Sequence, residues 1–340
     1  MASRAVVSTL RRPSYFRHIG LPETNFTRVS RRSYQAAAPS TSAKPLPHDA
    51  MSKANPLRQA FTRLRSADSS ARGQASLGMW QMLPGAYVSR TLARTPGIDW
   101  VLVDCEHGAI DDAAMHAAVP VIAAEGASPI VRIPDFQSWM VKRESAPGIG
   151  VSQSAMATQI LAPLIRTVDE VKEFVAACKF PPQGRRGFGS PLAMQGFRVT
   201  QEDDPNPHPV ALPTFTEYLD QANASIVTMV QIETREALEN VEAIAPLVDA
   251  LFVGPFDLAN NIGHPIRDGV FPTAVKDAMA RVLAAAQSVE GCCCGVYAGS
   301  PAQARDYAAA GFHMVNVVTD VLTLQAAASA AVHVARGQGG

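Results

Sequence analysis

No apolar run in these 340 residues approaches the roughly 20 needed to span a bilayer as a helix, so no membrane partner is expected. Cysteine is scarce and badly spaced for metal or crosslinks. There are five, Cys105, Cys178, Cys292, Cys293 and Cys294, an odd number with no C-x-x-C pair. That argues against a disulfide framework and against a zinc site. The three adjacent cysteines alternate faces in an extended segment and cannot converge on one ion, so they are expected to be small buried hydrophobes in a strand. Net charge is absent too, but this zero hides an asymmetry. Residues 1 to 50 hold seven arginines and Lys44, eight of the 30 basic residues, against Glu23 and Asp49 of the 30 acidic ones. The remainder keeps 22 basic and 28 acidic residues, a net of −6, which offers no broad attraction to nucleic acid. The Arg- and Ser-rich, acid-poor head has the composition of a mitochondrial transit peptide, with Arg31-Arg32-Ser33-Tyr34 as a processing site. The mitochondrial matrix is the expected compartment, the cytoplasm the alternative. Residues 1–50 are left out of the fold.

What is present is a globular enzyme's composition: 47% hydrophobic and 18% charged. From Asn55 onward, short β-rich runs alternate with longer helical ones, the signal of βαβ units and a parallel sheet. The expected strands are Ser76 to Met82, Trp100 to Asp104, Pro129 to Ile133 and Gln159 to Leu164. Four more follow at Ile226 to Ile232, Ala250 to Val253, Cys293 to Tyr297 and His313 to Val318. Eight strands in one domain, residues 55–335, predict a closed (β/α)8 TIM barrel. Helix starts are legible between them. Asp111-Asp112 opens Ala113 to Glu125, and Thr167 with Glu170 makes a capping box for Val168 to Cys178. Thr234 opens Arg235 to Ala245, and Ser300-Pro301 opens a helix that Gly311 stops. A helix from Phe61 to Arg65 is expected to cover the barrel bottom. Gly184 to Pro213 reads as a long Gly- and Pro-rich loop, expected on the active-site side.

In such a barrel, the chemistry sits at the C-terminal ends of the strands. After the second strand come Asp104, Glu106 and His107, a charge and a titratable base. A loop histidine merely satisfied by Asp104 or Glu106 is the plain alternative. Arg132 ends the third strand, where a buried guanidinium needs an anionic partner and its planar fork suits a carboxylate or an enolate oxygen. A structural salt bridge is the other reading. Gln231 and Glu233 share one face at the end of the fifth strand. Asp257 follows the sixth. Two carboxylates from adjacent strands, with open positions for water and substrate, suit Mg²⁺ or Mn²⁺. Helix capping by each carboxylate is the competing explanation.

These motifs carry a resemblance. Gly78 to Pro84, Asp104-Cys105-Glu106-His107, Val131-Arg132-Ile133-Pro134 and Gly184-Arg185-Arg186-Gly187-Phe188-Gly189 are similar, in order, to those of the HpcH/HpaI aldolase (citrate lyase) family. Val230-Gln231-Ile232-Glu233-Thr234-Arg235 and Val253-Gly254-Pro255-Phe256-Asp257-Leu258 complete the set, over roughly Gly73 to Leu324. The resemblance implies a metal-dependent class II aldolase that cleaves or forms a carbon–carbon bond of a 4-hydroxy-2-oxo acid, giving pyruvate and an aldehyde. It implies that Glu233 and Asp257 bind the cation and that Arg132 holds the pyruvyl oxygen and stabilises the enolate. His107, oriented by Asp104, serves the acid/base step. Gln231 lines the site, and the Gly187 region closes over the substrate. It also implies a homo-hexamer that exchanges its last helix. No Schiff-base lysine is needed: Lys142 is expected on a helix and Lys172 on a solvent face.

One segment departs from the family pattern. Glu144 to Thr158 lacks the short glycine link expected before the fourth strand and reads as an insert. A lyase of acyl-CoA thioesters, with Arg185 and Arg186 meeting the CoA phosphates, and a catalytically impaired barrel kept for assembly remain as alternative functions.

Overall fold

The computed structural model describes residues 47–65, 75–136, 159–188 and 213–337. The head up to residue 46, where a transit peptide is expected, Lys142, the expected insert 144–158 and residues 189–212 of the long loop lie outside the described residues. Eight parallel strands close into a barrel in sequence order: β1 Ser76–Gln81, β2 Trp100–Asp104, β3 Ser128–Arg132, β4 Gln159–Ala162, β5 Val227–Ile232, β6 Ala250–Val253, β7 Cys293–Val296 and β8 Met314–Thr319. Each strand pairs in parallel with its successor, and β1 pairs with β8 to complete the ring. The expected (β/α)8 barrel is the fold.

Every strand falls within two residues of its expected bounds, because the apolar and β-branched runs that mark strands are buried on both faces here. The helix caps are also where the sequence puts them. Asp111 accepts from Ala114 N at 2.9 Å, Thr167 and Glu170 form a reciprocal box, and Ser300 accepts from Gln303 N. One helix differs. The stretch after Thr234 breaks into Arg235–Glu239, Val241–Ile244 and a 3-10 turn Ala245–Leu247, with Asn240 ending the first piece and starting the second. The break follows from Asn240, whose side chain donates to Glu236 O at 2.8 Å instead of extending the helix outward.

Two hydrophobic regions hold the barrel. One lies between strands and helices. The other fills the interior with Trp80, Trp100, Leu102, Ile130, Leu161, Met229, Phe252, Cys293 and Met314. Large rings fit inside because glycines face them. A Cβ on Gly78 would lie 2.0 Å from the Trp100 ring, and one on Gly295 would lie 2.4 Å from Phe252 and 2.6 Å from Met314. The bottom is plugged by a helix over Pro56–Leu64, which starts five residues before the expected Phe61. Its Leu57 and Phe61 enter the interior cluster. Asn55 caps it, donates to Ser225 O at 2.8 Å and accepts from Gln159 at the foot of β4. Arg58 pairs with Asp249 at 2.6 Å, just before β6.

The cysteines behave as expected. All five are free thiols; Cys293 points inward while Cys292 and Cys294 join the outer core. Burial pushes the Cys292 thiol up to about 12, so it stays protonated. Among the described residues no helix is long and apolar enough to cross a membrane.

Filling the space opposite Trp100 tests this packing. Gly78→Ala should destabilise the barrel by roughly 1–3 kcal/mol, read as a lower denaturant midpoint at unchanged slope. An unchanged midpoint would mean that the ring does not sit against Gly78.

Candidate active site at the strand ends

The strand-end residues form one connected network. Arg132, almost fully buried, forks onto Asp104 through Nε to Oδ1 at 2.9 Å and Nη2 to Oδ2 at 2.5 Å. Its Nη1 donates to Gln231 Oε1 at 3.2 Å, and Gln231 Nε2 donates to Glu233 Oε2 at 2.8 Å. Glu233 Oε1 accepts from Leu164 N at 2.7 Å. On the other side, Trp80 Nε1 donates to Asp104 Oδ2 at 2.9 Å, and the Trp80 ring lies 4.9 Å from the guanidinium carbon. The network thus runs from β1 through β2, β3 and β5 to the turn after β4. Leu164 adopts a left-handed backbone with φ +50, a strained conformation for a branched residue, and it is this conformation whose N–H meets Glu233.

Charge follows from this geometry. Burial raises the Asp104 carboxyl, but the Arg132 fork and the Trp80 N–H outweigh it and hold Asp104 below the usual carboxylate range. Glu233 goes the other way. Burial pushes it up to about 7 against the Leu164 N–H, and the negative charges of Asp257 and Glu106 add to the rise. Burial also raises Glu106, with Arg132 and His107 opposing and Asp104 and Asp257 adding. Glu106 Oε2 lies 2.9 Å from Arg132 Nη1 but off the hydrogen-bonding direction, so this buried oxygen has no hydrogen-bond donor among the described residues.

Most of the expected site residues come together. A cavity of about 230 Å³ is lined by Asp104, His107, Arg132, Gln231 and Asp257, with Trp80, Met82, Phe256, Tyr297 and Thr319. Glu233 sits beside it, against the open face of Gly254, where a Cβ would come within 2.4 Å of Glu233 Oε2. Capping does not account for the two carboxylates. Thr234 caps the helix after Glu233, and the helix Pro255–Asn261 that carries Asp257 has no side-chain cap. A larger cavity, about 880 Å³, lies elsewhere, outside β8 and beside the helix Pro301–Ala309.

Three expectations change. Asp104 does not reach the His107 ring: it accepts from the His107 backbone N at 3.1 Å and spends its carboxylate on Arg132 and Trp80. The carboxylate near the His107 ring is Glu106, with Oε1 3.8 Å from Nε2. Gly187 is not brought to the site. Its neighbours pack outside the barrel, Arg186 on Phe180 and Phe188 on Phe180, Phe215 and Tyr218. The loop that carries it does not spring from the strand end either. It follows the returning helix Val168–Cys178, and Phe180 exchanges backbone bonds with Asn223, near the foot of β5. Trp80, Tyr297 and Thr319 also line the cavity but were not among the expected site residues. The signal was available: Trp80 is the penultimate residue of β1, Tyr297 directly follows β7, and Thr319 ends β8.

A divalent cation fits the residues present. The donors are hard carboxylate oxygens that raise one another's proton affinity, and Glu106 Oε2 is buried without a donor. Among the described residues, no group of three or more His, Cys, Asp or Glu is arranged to hold a metal ion.

The model of the HpcH/HpaI aldolase/citrate lyase family matches residues 77–327. A hydroxypyruvate/pyruvate aldolase of Paraburkholderia phytofirmans is 32% identical over 276 residues, 79% of this chain and 92% of its own length. A 2-dehydro-3,6-dideoxy-6-sulfogluconate aldolase of Pseudomonas putida is 30% identical over 76% of this chain and 91% of its own. The crystal structure of an HpcH/HpaI aldolase/citrate lyase family protein from Burkholderia cenocepacia superposes with a TM-score of 0.67 at 33% identity, covering 82% of this chain and 99% of that one.

The raised Glu233 carboxyl links stability to pH. Between its ordinary value of 4.5 and about 7 the folded protein keeps a proton that the unfolded chain has lost, so stability falls as pH rises. The full span is on the order of 3 kcal/mol without a cation. Burial lowers His116 and lowers His313 from 6.5 to about 4, and both act in the opposite sense below 6.5. The histidines still contribute just above 6.5, so wild type is compared with Glu233→Ala in chelator at pH 6.5 and pH 8: the wild type should lose about 1 kcal/mol more than the variant over this interval. An identical pH response in both proteins would contradict the raised carboxyl.

Proposed function

The chain belongs to the HpcH/HpaI aldolase/citrate lyase family and is a carbon–carbon lyase, and from that premise we propose that it cleaves or forms the C3–C4 bond of a 4-hydroxy-2-oxo acid, giving pyruvate and an aldehyde. The observation that carries this reading is the convergence of Asp104, His107, Arg132, Gln231 and Asp257 on one small cavity, with Glu233 bonded to Gln231 beside it. At about 230 Å³ the cavity is below the ~300–1,000 Å³ usual for ligand pockets, which suits a short acid and a short aldehyde.

A divalent cation held by Glu233 and Asp257, Mg²⁺ or Mn²⁺ by the hardness of the donors, would act as a Lewis acid on the keto oxygen. The protein's own groups do the rest. Arg132 is locked by Asp104 before substrate arrives, so its charge is already aimed when negative charge develops on that oxygen. His107, about 60% exposed at the rim with Glu106 beside its ring, is placed to take the proton of the 4-hydroxyl. The C3–C4 electrons then pass to C3 as the enolate of pyruvate, the aldehyde leaves, and a proton returns to C3. Lys172 pairs with Asp169 in solvent, which does not favour a Schiff base. The acyl-CoA alternative loses its basic groove: Arg185 pairs with Glu173, and Arg186 is buried against Phe180.

Pyruvate release from a panel of 4-hydroxy-2-oxo acids should stop in chelator and return with Mg²⁺ or Mn²⁺. Arg132→Ala should lower kcat/KM by roughly 10²–10³, and Arg132→Lys, which keeps the charge but loses the fork, should fall well short of the wild type. Unchanged kinetics in Arg132→Lys, or release indifferent to chelator, would remove the reading.

The assembly reading is a homo-oligomer, a hexamer with exchanged last helices. Two observations support it. The helix Asp320–Ala335 buries Asp320 alone, leaving Leu322, Leu324, Val332 and Val334 in solvent. The cavity of about 880 Å³ beside β1, β8 and the helix Pro301–Ala309 lies where an eighth helix would pack, and Leu77, Ala304, Ala308 and Phe312 line it. Light scattering should report a hexamer for the full chain and smaller species after deletion of residues 321–340. A full-length monomer would contradict the exchange.

A further inference from the structure

The active-site cavity has two chemically different ends. Strands β2, β3 and β5 bring Asp104, Arg132 and Gln231 to one side of the ring; β7, β8 and the end of β1 bring Tyr297, Thr319 and Met82 to the other. Trp80 stands between them, 4.9 Å from the Arg132 guanidinium carbon and 5.4 Å from the Tyr297 ring, which it meets edge-on. Phe256 completes the aromatic wall, its ring 6.3 Å from that of Tyr297. A 2-oxo acid that puts its carboxylate and keto oxygens at the polar end extends its other half toward this wall.

Two features of the wall select what it accepts. The first is charge. Among the described residues lining the cavity, Arg132 is the one arginine or lysine, and its guanidinium is already shared by Asp104, Glu106 and Gln231. A second carboxylate among Trp80, Phe256 and Tyr297 would lose water without gaining a counter-charge. The second is a pair of hydroxyls. Tyr297 Oη and Thr319 Oγ1 lie 2.9 Å apart and share one hydrogen. Two hydroxyls own two protons, so one proton stays free to donate while the oxygens keep lone pairs to accept. A site that donates once and accepts once matches an alcohol.

We propose that the aldehyde half of the substrate is short, uncharged and hydroxylated, a 2-hydroxyaldehyde whose hydroxyl is read by the Tyr297–Thr319 pair. This specificity rests on the aldolase reading of the same site. It narrows the acceptor from any aldehyde to neutral ones, and it argues against a dicarboxylic 4-hydroxy-2-oxo acid as the preferred substrate.

The test is the condensation of pyruvate, by the full chain loaded with Mg²⁺, with glycolaldehyde, propionaldehyde and succinic semialdehyde, in wild type and Tyr297→Phe. The wild type should use glycolaldehyde at least about tenfold more efficiently than succinic semialdehyde. Tyr297→Phe should lose up to about tenfold in kcat/KM on glycolaldehyde, one neutral hydrogen bond's worth, and little on propionaldehyde, whose retained turnover also reports an intact fold. A preference for succinic semialdehyde would overturn the proposal, and so would an equal loss on glycolaldehyde and propionaldehyde. Replacing pyruvate by hydroxypyruvate gives a further arm: a defect that follows the donor's hydroxyl and not the acceptor's would also overturn it. Absence of condensation with every aldehyde would instead remove the aldolase reading itself, and this specificity with it.

Discussion

A guanidinium buried at the end of β3 constrains everything around it. Arg132 cannot be left unpaired in an apolar barrel mouth, because an uncompensated buried charge costs several kcal/mol. Asp104 answers it from the neighbouring strand with a two-point fork, and the strand register that aligns Asp104 with Arg132 makes this possible. Once the fork is set, the rest has little freedom. Trp80 is held by its N–H on Asp104 and by its ring beside the cation, and Gln231 is oriented by Arg132 and in turn orients Glu233. Four strands thereby agree on one geometry before any ligand arrives. That is the preorganisation from which electrostatic catalysis draws its effect.

The barrel below is built to keep that geometry still. Rings in the interior are matched by glycines opposite them, and a capped helix closes the floor through Leu57, Phe61 and the Asn55 bonds. Above, the balance is deliberately uneven. Asp104 is held ionised, while Glu233 and Glu106 resist ionisation because burial and mutual repulsion oppose their charge. A cation would relieve that opposition, so acidic residues that repel one another would favour a divalent ion.

Much of this was legible in the sequence because barrel strands are short, apolar and bounded by cappable helix starts. Trp100 to Asp104 and Ala250 to Val253 were readable to the residue, and the polar residues just beyond each strand pointed to the mouth. What was not legible depends on which strand lies beside which, and on side-chain reach. The Asp104 carboxylate could have served His107 three residues on; the register with β3 gives it to Arg132 instead, leaving Glu106 to the histidine. Tyr297 reads as the last residue of its strand and Thr319 as lying just past the next, and their hydroxyl pair exists only because β7 and β8 are neighbours. Gly187 was assigned by motif alone. The chain order, with a helix between β4 and the loop, puts that stretch against Phe180 and Tyr218.

The central claim is that the Arg132-centred network stabilises the enolate of a bound 2-oxo acid. Pyruvate in D2O, followed by proton NMR with the Mg²⁺-loaded protein, tests it without any aldehyde. The account predicts that the methyl signal decays by exchange with the wild type and decays about 100-fold more slowly with Arg132→Lys. A methyl signal that persists with the wild type, or exchanges equally fast with Arg132→Lys, would contradict it.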